Sequence, residues 1–155
     1  MLNIVLFEPQ IPQNTGNIAR SCAVTGTRLH LIGPLGFALE DKKMKRAGLT
    51  YWELLDVHYY EDFQDFLSKH HQDTIYLLSR KAEQAYTEIT FKDEDYLLFG
   101  REDTGVSDEV SKYLADKAFR IPMRGIEGAR CLNLATSVGI VLYEALRQLD
   151  FLDLT

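Results

Sequence analysis

At 155 residues, with 46% hydrophobic and 26% charged residues, the chain has the makeup of an ordinary soluble globular protein; it is long enough to bury a full core, which excludes intrinsic disorder. No apolar run reaches the ~18–20 residues of a membrane-spanning helix, and Met1–Phe7 reads as a strand rather than a signal peptide, because it lacks a basic flank and stops at Glu8-Pro9. The net charge of −6 speaks against a broad phosphate-binding surface, and Cys22 and Cys131, which lack metal-ligand spacing, predict reduced thiols in a cytoplasmic protein with no metal.

Leu2–Phe7 is almost wholly apolar, as expected of a central parallel strand buried on both faces. It leads into Glu8-Pro9-Gln10-Ile11-Pro12, where the two prolines deny helix and central strand alike. A helix follows, capped at its start by Asn14 or Thr15 and at its end by Gly26. Ile18, Ala19, Cys22 and Ala23 share its inner face, while Asn17, Arg20 and Ser21 lie on another. Arg28–Gly33 is a second strand, and Glu40–Gly48 a short helix containing Lys42, Lys43, Lys45 and Arg46. That basic cluster reads either as a solvated helix face or as a phosphate contact. Leu55–Tyr60 and Thr74–Leu78 are strands, separated by an amphipathic helix over Glu61–His71 whose Phe63, Phe66 and Leu67 face inward. His70 and His71 read as a fraying helix end, and Ser79-Arg80-Lys81 leaves its strand with two cations.

The last third, Tyr96–Gln148, is the organising stretch. The strand Asp95–Phe99 runs into Gly100-Arg-Glu-Asp-Thr-Gly-Val-Ser107, and Ser107 caps a helix reaching Asp116. The strand Ala118–Ile121 leads into Pro122-Met123 and a polar loop, after which Leu132–Leu149 is apolar nearly all round, a helix buried on more than one side. Six strands alternating with five helical patterns predict an α/β fold, a single domain over residues 1–155 with a mostly parallel six-stranded sheet flanked by helices. Loops marked by glycine or proline at the exits of buried strands are where such a sheet holds a ligand. The usual fingerprints are missing: no GxGxxG follows the first strand and no GxxxxGK[ST] occurs.

Three blocks together resemble the SPOUT (α/β-knot) RNA methyltransferases: Asn14-Thr-Gly-Asn-Ile-Ala-Arg20; Leu98-Phe-Gly-Arg-Glu102 with Gly105; and Ile121-Pro-Met123 followed by Leu132-Asn133-Leu134 and Tyr143-Glu144-Ala145. The opening Leu-Asn-Ile-Val-Leu-Phe-Glu-Pro is most similar to the bacterial tRNA (cytidine/uridine-34) 2′-O-methyltransferase subgroup. The resemblance implies a deep C-terminal trefoil knot, a homodimer, and methylation of the wobble ribose in a tRNA anticodon stem-loop. It also implies the cofactor S-adenosyl-L-methionine and the product S-adenosyl-L-homocysteine. Methylation of another tRNA or rRNA site, and a non-catalytic RNA- or nucleotide-binding protein on the same fold, stand as alternatives.

On this resemblance Leu78, Ile121, Met123 and Leu132 make an apolar slot for adenine, with backbone contacts at Gly100, Ile121 and Cys131. Gly100 admits a close backbone approach that a Cβ would obstruct. Cys131 stands where the family usually has serine. Arg20 acts at the ribose; a guanidinium is effectively always protonated, so orienting the acceptor phosphate and stabilising a developing alkoxide suit it better than general-base work. Asn14 and Asn133 are hydrogen-bond anchors, and Glu102 holds Arg20 or the acceptor nucleoside. Arg124 and Arg130, in the loop before Cys131, contact RNA or cap the pocket. Val138, Val141 and Leu142 fit either the sheet or a partner subunit, the partner being the sharper reading, and Tyr143 is the candidate interface aromatic.

Overall fold

Burial of a nearly all-apolar strand on both its faces organises the molecule. The computed structural model describes residues 1–39, 49–128, 131–152 and 154–155. Within them the strands are β1 (Asn3–Phe7), β2 (Arg28–Ile32), β3 (Val57–Tyr60), β4 (Ile75–Leu78), β5 (Gln84–Ala85), β6 (Tyr96–Phe99) and β7 (Ala118–Arg120). They form one sheet of order β3-β2-β1-β6-β4-β7-β5, and every pairing is parallel. The sheet thus has seven strands where six are expected. The added strand is the two-residue β5, which pairs with β7 at the sheet edge and is too short to show any alternation. The expected basic helix over residues 40–48 lies outside the described residues.

Side-chain alternation sorts the core into two layers. On one face Leu2, Ile4 and Leu6 meet Leu29, Leu31, Leu97 and Phe99, covered by helices α1 (Pro12–Thr25) and, near the end of the chain, residues 134–148. On the other, Val5, Phe7, Ile32 and Leu98 are covered by α2 (Phe63–His70) and α3 (Asp108–Tyr113). The C-terminal helix is α4 (Leu134–Gln148); its Val138, Val141, Leu142, Ala145 and Leu146, spaced i, i+3, i+4, i+7 and i+8, form one stripe turned to the sheet. Among the described residues no helix is long and apolar enough to cross a membrane.

The helix starts follow local chemistry, with one departure from expectation. α1 begins two residues before Asn14: Ile11 is its N-cap, without a side-chain cap, and Pro12 stands in the first turn. A proline there gives up an N–H that has no helical partner anyway, and its fixed φ suits the helix, so Pro12 starts the element it was expected to exclude. Asp62 caps α2 by accepting from the Asp65 amide, and Ser107 caps α3 by accepting from Val110.

A polar network sits beneath the α2 layer. The Asn3 Nδ2 donates to the carbonyls of Glu94 (3.1 Å) and Asp95 (3.4 Å), which leaves its Oδ1 to accept from His30 Nε2 at 3.0 Å. The other ring nitrogen of His30 accepts from Tyr60 Oη at 2.8 Å. Burial, with smaller contributions from His58, His70 and Arg28, pushes the His30 imidazole down to about 3, so it is neutral in the fold. His70 does not fray as expected: its Nε2 lies 2.8 Å from Tyr60 Oη and its Nδ1 2.8 Å from an Asp73 carboxylate oxygen.

Candidate functional site

The strand order brings the carboxyl ends of β4, β6 and β7 together beside the first turn of α1, and the exit loops there enclose a cavity of about 1030 Å³. This lies at the upper end of ordinary small-molecule sites, with room for a nucleoside-sized ligand and part of a second reactant. All six expected cofactor residues line it: Leu78 at the end of β4, Gly100 after β6, Ile121 and Met123 after β7, and Cys131 and Leu132 ahead of α4. Leu78 is buried and forms the floor, while Cys131 and Leu132 are exposed at the mouth. Asn14, Glu102 and Asn133 also line the cavity.

These three polar residues form one chain of hydrogen bonds. Asn133 Oδ1 caps α4 by accepting from the amides of Ala135 (2.9 Å) and Thr136 (3.3 Å), so its Nδ2 is free to donate to Asn14 Oδ1 at 2.9 Å. Asn14 in turn donates through Nδ2 to Glu102 Oε1 at 3.3 Å. The Glu102 carboxylate also accepts from the backbone amides of Gln10 (2.8 Å) and Ile11 (3.0 Å). Glu102 therefore supplies from the β6 loop the cap that α1 lacks locally, placing negative charge at the positive end of the helix dipole. Of its two expected roles, holding Arg20 or the acceptor nucleoside, the first gives way to this cap, which joins three segments far apart in sequence.

The loop that carries Glu102 is shaped from within. Arg101 and Gly105 exchange backbone hydrogen bonds of 3.0 and 3.1 Å, and Gly105 takes a φ of +73° that a side chain would strain. A Cβ on Gly100 would fall 2.5 Å from the Gly105 carbonyl carbon and 2.8 Å from the Val106 nitrogen. The close approach that requires glycine at 100 is thus to the loop's own return strand. Arg101 grips both oxygens of Asp103 at 3.0 Å and lies 3.6 Å from Glu8, and this guanidinium holds the Asp103 carboxyl down to about 2.

Arg20 lies elsewhere. It is exposed on α1 and absent from the cavity wall, about 9 Å along the helix from Asn14 at ~1.5 Å per residue. Its guanidinium carbon sits 5.2 Å from the ring centroid of Tyr51, in the 3-10 segment Leu49–Leu54. Val138, Val141 and Leu142 are fully buried inside their own chain, so the expectation that they face a second subunit is corrected: they are core, and only Tyr143 of that group is exposed. Arg124 is exposed in the loop after Met123, whereas Lys42, Lys43, Lys45, Arg46 and Arg130 lie outside the described residues. Ile11, Ser79, Arg80, Lys81, Arg101 and Asp103 line the cavity and were not expected there. The two cations leaving the fourth strand, and the strand-exit loop that carries Arg101 and Asp103, were the sequence signals for them. Among the described residues no group of three His, Cys, Asp or Glu side chains could hold a metal ion.

Comparison with known proteins agrees with this arrangement. Residues 1–143 match the SpoU rRNA Methylase family. The chain is 45% identical over 152 residues to the tRNA (cytidine(34)-2'-O)-methyltransferase of Escherichia coli (strain K12), covering 97% of this chain and 96% of that protein. A structure solved for insights into the 2-OH methylation of C/U34 on tRNA superposes with a TM-score of 0.89 at 45% identity, covering 97% of each chain. The AdoMet-bound rRNA methyltransferase from Sinorhizobium meliloti superposes with a TM-score of 0.84 at 25% identity, covering 96% of this chain and 56% of that one.

Proposed function

The chain belongs to the SpoU rRNA Methylase family, and from that premise we propose that it is an S-adenosylmethionine-dependent tRNA 2′-O-methyltransferase acting on the wobble nucleotide, cytidine or uridine 34. The observation that carries the reading is the convergence of three strand-exit loops on one cavity whose wall is tied to α1 through Glu102, Asn14 and Asn133. When bound, S-adenosylmethionine supplies an electrophilic methyl group.

The residues present fit that cofactor. Leu78, Ile121, Met123 and Leu132 offer the apolar faces that an adenine needs, and the cavity wall also carries polar and charged groups of both signs, among them Arg80, Lys81 and Glu102. The task of the chain is chiefly positioning, since holding two reactants in line is the most dependable source of acceleration. Asn14 and Asn133 fix the mouth of the cavity, with each amide's orientation forced by its neighbour. Arg20, through its guanidinium, stabilises oxyanion character at the acceptor O2′ and orients the adjoining phosphate. Its exposure on α1, outside the cavity wall, leaves it accessible to a ligand too large for the cavity.

In this reading the acceptor is the anticodon stem-loop, the protein acts in the cytoplasm as a homodimer, and the exposed Tyr143 lies in the subunit interface. Arg124 and the basic stretch Lys42–Arg46 contact phosphate. Calorimetric titration with S-adenosylmethionine is expected to give saturable binding; its absence refutes the enzyme reading. Mapping 2′-O-methyl groups in tRNA from cells lacking the protein is expected to show their loss at nucleotide 34. Unchanged wobble nucleotides, with loss at another RNA site, refute the target.

A further inference from the structure

Arg20 is an exposed arginine whose guanidinium, among the described residues, meets an aromatic ring. Its guanidinium carbon stands 5.2 Å from the centroid of Tyr51, within the range in which a cation is drawn to the negative face of a ring. We propose that Tyr51 is a positioning residue for the methyl-transfer reaction: its ring face holds the Arg20 guanidinium in the place and orientation from which it acts on the acceptor ribose. The inference rests on the role given to Arg20 above.

Three features favour this over an incidental surface contact. First, the ring is anchored. Tyr51 is half-buried, the following residue Trp52 packs against the core beneath α1, and the turn is closed by a 3.2 Å hydrogen bond from the Leu55 amide to the Trp52 carbonyl. Second, an unrestrained arginine on an exposed helix face samples many rotamers, and fixing it costs conformational entropy at the moment of reaction unless something has fixed it already. Third, a ring face is a partner that leaves the cation unspent. A carboxylate would satisfy the guanidinium with directed hydrogen bonds, as Asp103 does for Arg101 at 3.0 Å, and would compete with the RNA phosphate and the oxyanion for it. A ring face offers no directed acceptor of that kind, so it competes far less than a carboxylate for the five N–H donors. Tyr51 therefore pre-orders Arg20 without neutralising it.

The test is turnover of purified full-length protein on tRNA, with the ring varied in steps. Removing it in Tyr51→Leu is expected to lower kcat about 3- to 30-fold, the span of a cation–π contact expressed as rate, with KM for S-adenosylmethionine unchanged. Tyr51→Phe and Tyr51→Trp keep the face and are expected to stay within about twofold of the parent. To separate the face from packing, position 51 is replaced by phenylalanines carrying increasing numbers of ring fluorines, which preserve shape while draining the face of negative charge; kcat is expected to fall along that series. A flat fluorine series, or Tyr51→Phe falling as far as Tyr51→Leu, overturns the proposal. Arg20→Ala is measured alongside. If Arg20→Ala retains parental turnover, the role of Arg20 fails and the proposal with it; if Arg20→Ala is inactive while Tyr51→Leu is unimpaired, only the proposal fails.

Discussion

Replacing Glu102 with alanine tests whether the cavity wall is built as described. The substitution removes the acceptor for two backbone amides at 2.8 and 3.0 Å and one side-chain amide at 3.3 Å. Hydrogen bonds to a charged acceptor are each worth about 1.5–3 kcal/mol, but Glu102 is half-exposed and water can take its place at part of the cost. A net loss of roughly 2–4 kcal/mol follows, counting the two short bonds, the helix-dipole contribution and that solvent discount. For a chain of 155 residues this lowers the melting temperature by about 5–15 °C, read by differential scanning fluorimetry. Glu102→Gln keeps one acceptor oxygen and should lose about half as much. Because Asn14 is held by Glu102, the effects of Glu102→Ala and Asn14→Ala should be coupled by about 0.5–3 kcal/mol in a double-mutant cycle. A melting point within about 2 °C of the parent, with additive single mutants, refutes the claim that Glu102 caps α1 and sets the wall.

Four further outcomes are expected. Gly100→Ala puts a Cβ 2.5 Å from the Gly105 carbonyl carbon, so the loop must shift; S-adenosylmethionine affinity should fall at least about tenfold by calorimetry, and parental affinity would count against the close approach. The fold should weaken in acid because of His30: its folded pKa of about 3 lies below the ordinary value of 6.5, so the unfolded state binds more protons between these limits. Stability is then complete above pH 6.5 and lost as pH falls toward 3, by up to about 5 kcal/mol in urea titrations, and a His30→Asn variant should lose that slope. Leu142→Ala should cost about 2–5 kcal/mol whatever the protein concentration, since Leu142 is core; a cost that disappears at high concentration would return it to an interface. Thiol reagents should label Cys131 in the native protein, with protection by S-adenosylmethionine, and spare Cys22, whose thiol burial pushes up to about 12; fast labelling of Cys22 would contradict that burial.

Much of the arrangement was legible because it rests on local pattern. The near-continuous apolar run of β1 and the i, i+3, i+4 stripe of α2 declare themselves within a few residues, and strand-exit loops marked by glycine line the cavity in a parallel sheet. What stayed hidden depends on distance or on an ambiguous residue. Glu102 reaches amides some 90 positions away in sequence, and no spacing rule announces such a contact. Pro12 reads as a breaker or a starter, and only the fold chooses. The stripe Val138, Val141 and Leu142 has the same periodicity whether it meets a sheet or a partner. β5, two residues long, carries no period at all.

The hydrogen bond between Asn14 and Asn133 spans 119 positions, and it bears on when the site comes into being. β1, β2, α1 and α2 can begin to associate while the rest of the chain is still being made, but the strand between β1 and β4 is β6, and the cap of α4 comes later still. Loop closure over such separations makes folding slow relative to local pairing. The cavity is accordingly among the last parts of the molecule to be completed during synthesis. In the proposed reading the cofactor finds a complete pocket only once the start of α4 has docked against α1.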